Sequence, residues 1–438
     1  MMEAEKVEVQ TVSELVYRQS KSSAKGHTVI TPKDKYFLCY IVFFLLGILH
    51  FLPSSFLATA NDFWLYKFRD VSAPANSTEN RTKLQSYFAS SQTVVDIVPA
   101  ILLGGWNVLY GHRYRIVSRI TAALIVITVL FYVLTSFIRI DTDNFQTVFF
   151  AITLTCSGLM TGATAINILT SAILYPRFPH SYMKICLIGE GVSSVLGDLL
   201  NIASLSIFES LPNATLIYFV SGSILITVTL ILFVIISRSQ FFRSCLDNIP
   251  ETKNKRKPSV RALKSALRKI WPSVFIFLVF GLRTAATHTS VTSLVTSEFK
   301  GQNLWGTKYF TPVVTFLLSD IWVLLGRACS SYLPWKVPEG MLCVLSVMSS
   351  LLLVPGIWLC NANPRHHMPI LFSHDWEYAL LLGFLMFSNG YMINAAVINI
   401  PKKTSTEESE VAFNVFSLCM GVVQALVSPV GLVVINIL

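Results

Sequence analysis

Eleven stretches of this 438-residue sequence run almost without a charge, each for the roughly twenty residues that an α-helix needs to cross a hydrocarbon core of ~30 Å. Inside lipid the backbone has no water to bond, so such stretches must be helices that satisfy their own peptide groups. The windows are approximately 36–60, 86–110, 118–138, 145–174, 183–208, 215–237, 271–296, 309–333, 340–360, 377–400 and 411–437. The seventh is interrupted by Arg283 and His288. Composition agrees, with only 13% charged residues where a soluble domain carries roughly 25%. The expected fold is an all-α polytopic membrane protein.

Charge sets the orientation, because Lys and Arg accumulate in loops on the cytoplasmic side. Counted from a cytoplasmic N-terminus, 25 of the 34 Lys and Arg fall inside and 8 outside, with Arg283 within a span. Sequons at Asn76, Asn80 and Asn213 all fall on the outer side, as N-glycosylation requires. An odd number of spans then places the C-terminus outside. Residues 1–35 are polar and lack the apolar core of a signal peptide, so the first span is expected to act as its own insertion signal. The predicted division is a cytoplasmic tail at 1–35, a six-helix bundle at 36–237, a basic cytoplasmic loop at 238–270 and a five-helix bundle at 271–438. Within that loop Val260, Leu263, Leu267, Ile270 and Trp271 recur at helical spacing with Arg261, Lys264, Arg268 and Lys269 opposite. This fits a basic amphipathic helix on an anionic leaflet, or a solvated linker. Ser259 is a candidate phosphosite in the same loop.

The net charge of +10 lies in these flanking loops, which speaks for membrane topology and against a nucleic-acid partner. The eight cysteines are scattered with no CxxC pair, arguing against a disulfide scaffold or a zinc site and for small buried hydrophobes. No metal or cofactor is expected. HExxH, GxSxG and Walker signatures are absent, so the chain does not read as an enzyme.

Ionisable groups inside spans are costly and usually face a cavity or a partner. Asp96, Glu190, Asp198, Arg283, His288, Asp320 and Arg327 are such groups, and their spread over both halves favours an internal hydrophilic pathway. Each has a plainer reading. Asp198 bonds a neighbouring helix, Glu190 between two glycines reaches water, Arg327 snorkels, and Asp96 satisfies the kink at Pro99. Asp320 lies two turns from Arg327 and on its face, too deep to snorkel.

The C-terminal third carries three motifs in order: Asn363 through Asp375 with Pro364, Arg365, Phe372, His374 and Asp375; then Phe387-Ser388-Asn389-Gly390-Tyr391; then Pro401-Lys402-Lys403 followed by Glu408 and Glu410. Together they resemble the equilibrative nucleoside transporters. Weaker matches run through Pro32, Asp34, Leu46-Gly47, Pro53, Arg119, Gly189-x-Gly191 and Gly326-Arg327. The resemblance implies a pseudo-symmetric, major-facilitator-like bundle of six plus five helices working by alternating access. It implies a substrate cavity lined by Phe51, Ser54, Ile97, Asn167, Asp320, Arg327 and Gln424, with Arg119 and Glu410 at a cytoplasmic gate. Aromatic and apolar surfaces would hold a base, while carboxylate, amide and guanidinium groups would bond ribose hydroxyls.

The sequence also departs from the family. A Pro-Trp-Asn is Pro53-Ser54-Ser55, an Asn and Asp three residues apart are Asp320 and Val323, a glutamine is Asn167, and a Phe-Pro pair is His288-Thr289 with Arg283 added. The leading expectation is a facilitative carrier of nucleosides or nucleobase-like solutes, acting as a monomer in the plasma membrane. Two alternatives stay open: a proton-coupled carrier of a nucleoside or organic cation, with Asp96, Arg283 or His288 as charge or proton sites, and a non-transporting receptor or scaffold.

Overall fold

The computed structural model describes residues 33–71, 82–208, 210–247, 260–287, 291–333, 337–362, 367–427 and 429–437. His288, Asn76, Asn80 and Ser259 lie outside them. The first group of helices comprises α1 (Leu38–Thr59), the short α2 (Asn61–Lys67), α3 (Lys83–Tyr110), α4 (Ile116–Phe137), α5 (Gln146–Leu174), α6 (His180–Ile207) and α7 (Leu211–Ile236). After α8 (Gln240–Asp247) come α9 (Val260–Thr287), α10 (Ser319–Tyr332), α11 (Glu339–Trp358), α12 (Asp375–Lys403), α13 (Thr406–Val427) and α14 (Val430–Ile437). Among the described residues ten helices are long and apolar enough to cross a membrane. The shorter apolar stretch Val95–Tyr110 lies within α3, itself 28 residues long.

Helix ends follow local chemistry. Thr82 and Gln85 form a reciprocal cap on α3, satisfying two N–H groups that the first turn leaves free. Pro212 sits in the first turn of α7, where its missing N–H costs nothing. Asn213, the third sequon, occupies that same turn.

Lipid gives apolar side chains no reason to leave it, so membrane helices associate through close packing and polar contacts. Two crossings show this. On α1 and α6, a Cβ at Gly47 would stand 1.9 Å from the Cys186 carbonyl oxygen, and one at Gly189 would stand 2.2 Å from that of Phe44. On α10 and α12, Gly326 and Gly390 meet the Phe387 and Val323 carbonyls at 2.2 and 2.1 Å in the same sense. Backbone lies on backbone at both, and each crossing falls within one half of the chain. The first half also holds an aromatic core, where Phe56 stacks on Tyr218 at 4.0 Å and Trp64 of α2 donates to the Leu57 carbonyl at 2.9 Å.

Four details depart from the sequence expectation. The amphipathic stretch at 260–270 is the first part of α9, continuous with the span that follows, rather than a separate helix or linker. Ala266 and Ile270 are buried in the core, while Leu267 and Trp271 of the same apolar face are exposed. That span ends at Thr287 instead of continuing to 296. Beyond it, Thr311–Leu318 winds as a wide π-helix before α10, which rephases the faces that follow. The last window is two helices, α13 and α14, with Pro429 between them.

Candidate functional site

The two helix groups meet along two seams, α6 against α10 and α3 with α5 against α13. On the first seam, α6 carries Glu190 and Asp198, and α10 carries Asp320 and Arg327. Spacings of eight and seven residues are about two turns, so each helix presents both groups on one face. The two helices run antiparallel, opposing Glu190 to Arg327 and Asp198 to Asp320. Arg327 Nη1 donates to Glu190 Oε2 at 2.5 Å and to the Leu187 carbonyl at 3.0 Å. The other Glu190 oxygen takes His50 Nδ1 of α1 at 2.9 Å. Both side chains of the ion pair are 11% exposed. Two turns away the Asp320 carboxyl lies near Asp198 and Ser194.

Glu190 therefore does not reach water and Arg327 does not snorkel. Each is held by the other, because a lone charge in this setting would cost several kcal/mol. His50 was not legible as a partner. A lone histidine in an apolar run reads as core, and only the α1–α6 glycine crossing brings it to Glu190.

On the second seam, Ile97 and Gln424 line a cavity of about 160 Å³, together with Gly104, Ala165, Leu418 and Gly421. Its walls are apolar apart from Ser417 and Gln424, which suits a flat ring anchored by an amide. Phe51 and Ser54 lie one turn apart on α1, Phe51 40% exposed and Ser54 half-buried. Asn167 is wholly buried on α5, and neither atom of its amide has a hydrogen-bond partner.

Each of the expected gate residues has a neighbour on another element. Arg119 donates to Asn107 Oδ1 at 3.1 Å, and Asn107 passes the chain to Thr170 at 3.3 Å. Glu410 faces Arg177 at 4.0 Å, a residue the sequence reading passed over. Its signal was Tyr175-Pro176-Arg177-Phe178-Pro179, an arginine fixed between two prolines where α5 turns into α6.

Asp96 accepts from Ser157 Oγ of α5 at 2.7 Å, so its bonding crosses to another helix instead of serving the Pro99 kink. Arg283 is 2% exposed and donates to Ser349 and Ser388 at 3.1 and 3.0 Å, bracing α9 against α11 and α12. Of the eight cysteines, six are buried and two half-buried, and none is in a disulfide.

The C-terminal motifs acquire physical roles. Asp375 accepts from Ser297 Oγ at 2.7 Å, the Glu298 N–H at 3.0 Å and Trp305 Nε1 at 3.0 Å, pinning the 291–305 segment to the start of α12. Lys403 pairs with Glu339, and Glu408 with Lys269 at 2.8 Å. Beside Asp375, the Glu298 carboxylate 2.8 Å from His374 Nδ1 holds that imidazole above the ordinary histidine range. A raised pKa stabilises the folded state fully below the unfolded value and ceases to do so as pH rises through the folded one. Thermal unfolding of wild type and His374→Gln should therefore differ at mildly acidic pH and converge at alkaline pH. A difference that grows with pH would contradict the pairing.

Residues 246–433 match the family model described as nucleoside transporter. Equilibrative nucleoside transporter 3 of Rattus norvegicus is 24% identical over 406 residues, covering 86% of this chain and 85% of that one. Equilibrative nucleoside transporter 1 of Homo sapiens is 25% identical over 438 residues, covering 89% and 95%. Among solved structures, a major facilitator superfamily proton:xylose symporter, XylE, superposes with a TM-score of 0.57 at 12% identity, covering 90% of this chain and 88% of that one. A second transporter of that superfamily, FucP, does so at 0.52 and 13%, covering 90% and 91%. At such identities these structures speak to the fold, a major-facilitator-like helical bundle.

Proposed function

We propose that the chain is a divergent member of the equilibrative nucleoside transporter family and that it carries nucleosides across the membrane down their gradient by alternating access. The observation that carries the reading is similarity to such transporters over nearly the whole chain, on a bundle whose two helix groups meet along one seam that carries charges and another that is mostly apolar. Under this reading Phe51 and Ile97 offer apolar surface to a base. Ser54, Asn167, Asp320 and Gln424 offer hydroxyl, amide and carboxyl groups to a ribose, and Arg327 offers a guanidinium. The orphaned amide of Asn167 supports a polar ligand, since a buried amide without partners costs free energy until something bonds it. A neutral solute moves no charge, so its own gradient suffices to drive it.

The remaining assignments belong to the same proposal. The carrier would lie in the plasma membrane as a monomer, with its N-terminus cytoplasmic and Asn76, Asn80 and Asn213 glycosylated outside. Arg119, Arg177 and Glu410 would lie at the cytoplasmic ends of their helices, closing that side.

Cells lacking their own nucleoside carriers test it. Expression of the chain should give saturable uptake of radiolabelled uridine or adenosine, accelerated by preloading with unlabelled nucleoside. Ile97→Trp, which fills the seam cavity, should lower uptake about tenfold, a loss of ~1.4 kcal/mol of binding, at unchanged surface level. Surface-delivered protein that moves neither nucleoside would overturn the reading.

A further inference from the structure

We infer that the Val260 end of α9 is a binding site for an anionic phospholipid, whose phosphate sits between Lys264 and Arg268 while its acyl chain runs past Leu267 and Trp271. Helix α9 is part of neither seam, so this surface is separate from the proposed substrate site.

The rotation of α9 about its axis decides what this end presents. Leu263, Ala266 and Ile270 pack into the core of the bundle. Lys269 turns to α13, where it donates to the two oxygens of Glu408 at 2.9 and 2.8 Å. At 3.6 residues per turn the opposite side of the helix points away from the protein. On that side Arg261, Lys264 and Arg268 recur at helical spacing, followed one turn later by Trp271, and all four are exposed. Trp271 is 56% exposed and Leu267, beside it, 40%. The three cations enter no ion pair among the described residues. Just before α9 the sequence has Lys253, Lys255, Arg256 and Lys257 against one acid, Glu251. The neighbouring chain therefore adds cations where a counter-charge is wanted.

Depth along the helix selects lipid as the occupant. No charged residue occurs from Ile270 to Leu282, so the hydrocarbon begins near Ile270. Trp271 then holds the interfacial level that its amphipathic ring prefers. At ~1.5 Å of rise per residue, Arg268 stands ~4.5 Å beyond Trp271, Lys264 ~10 Å and Arg261 ~15 Å. The headgroup layer on each side of a bilayer is roughly 5–8 Å deep. Arg268 lies within that layer, and the flexible stem of Lys264 brings its ammonium down to it. Arg261 stands beyond it by about a Debye length. A guanidinium fork matches the oxygens of a phosphate, and an ammonium one turn away adds a point charge to the same group. Exposed Leu267 and Trp271 supply an apolar wall for the chain attached to it. An acidic protein would have to enter the headgroup layer to meet Arg268, and lipid phosphates already occupy that layer.

A loop that only follows the inward charge bias attracts anionic lipid diffusely, each cation near the surface contributing about equally. The geometry of α9 makes a graded demand instead: Arg268 first, Lys264 second, Arg261 least.

Native mass spectrometry of the purified full chain, titrated in mild detergent with phosphatidylglycerol or phosphatidylcholine, tests the site. The wild type should retain phosphatidylglycerol at least about fivefold more tightly, a ratio equivalent to ~1 kcal/mol. Arg268→Gln should remove most of that preference, Lys264→Gln a smaller part and Arg261→Gln little. Arg243→Gln, which deletes an exposed cation of α8, should leave it intact. In phosphatidylcholine nanodiscs the wild type and Arg268→Gln should unfold at the same temperature. Added phosphatidylglycerol should raise that temperature for the wild type alone, as binding to the folded state requires. Equal retention of the two lipids by the wild type overturns the site without any variant. A loss in Arg243→Gln as large as in Arg268→Gln overturns it in favour of diffuse attraction. Displacement of the lipid by millimolar inorganic phosphate overturns it in favour of a free-anion site. None of these readouts needs transport, so the nucleoside reading stands or falls separately.

Discussion

Gly47→Val will leave little folded protein to measure. A Cβ at this position would lie 1.9 Å from the Cys186 carbonyl oxygen and 2.8 Å from its carbon. Those are backbone atoms of α6, so no rotamer change can make room. The helices would have to separate, and Gly189, which meets the Phe44 carbonyl at 2.2 Å in the same crossing, would lose its contact too. Overpacking usually costs ~1–3 kcal/mol, and a clash with rigid backbone belongs at or above the top of that range. That is a large share of a typical stability of about 5–15 kcal/mol. Gly340→Ala is the control, since nothing lies within 4 Å of a Cβ there. Removing a glycine from a helix should be neutral or stabilising by up to ~1 kcal/mol. Detergent-solubilised yield and unfolding temperature report both. Near-normal unfolding of Gly47→Val would mean that α1 and α6 do not cross as closely as described.

Glu190→Ala carries the second large effect. It strips Arg327 of a carboxylate 2.5 Å away and leaves a guanidinium buried beside a carbonyl. Removing one partner of a buried pair costs about 3–5 kcal/mol, whereas replacing both by apolar groups is often close to neutral. Glu190→Ala and Arg327→Met should therefore each destabilise strongly. The double variant should be milder than either single, with a coupling energy well beyond the ~0.5 kcal/mol expected of independent sites. His50 loses its partner in both Glu190 variants, so His50→Phe added to the double variant should recover still more. Strictly additive singles would show that the pair does not hold the seam.

Both effects also bear on function. The glycine crossing lies within one helix group and should move as a unit, while the Glu190–Arg327 pair joins the two groups and must part if the seam opens. A variant that weakens the pair without unfolding the protein should therefore shift the balance between open and closed seams before it changes substrate contacts.

The membrane class and nearly every span were readable in the chain, because lipid imposes a length and a polarity that local sequence cannot evade. Likewise the motifs around Asp375, Gly390 and Lys403 made the resemblance to the nucleoside transporters legible, since each is a local cluster with fixed spacing. The roles of single polar residues were less readable. Glu190 looked like a packing position reaching water, and its glycine neighbours do pack closely, yet its carboxyl turns to Arg327 and His50 from two other helices. Asp320 read as a deep acid on the face of Arg327, and its place near Asp198 exists only because two helices run antiparallel at matching two-turn spacings. Glu410 faces Arg177, which proline geometry holds in place. Helical periodicity tells which side chains share a face. It carries no information about which face meets which across a hundred residues of intervening chain, nor about a π-helical stretch such as Thr311–Leu318 that rephases the face after it. The sequence determined that this protein spans a membrane as a helical bundle, because the solvent acts on each segment separately. Only the tertiary structure decided which charges are paired, shared or orphaned, because in a low-dielectric interior a group's state depends on its nearest partner, and those partners come from elsewhere in the chain.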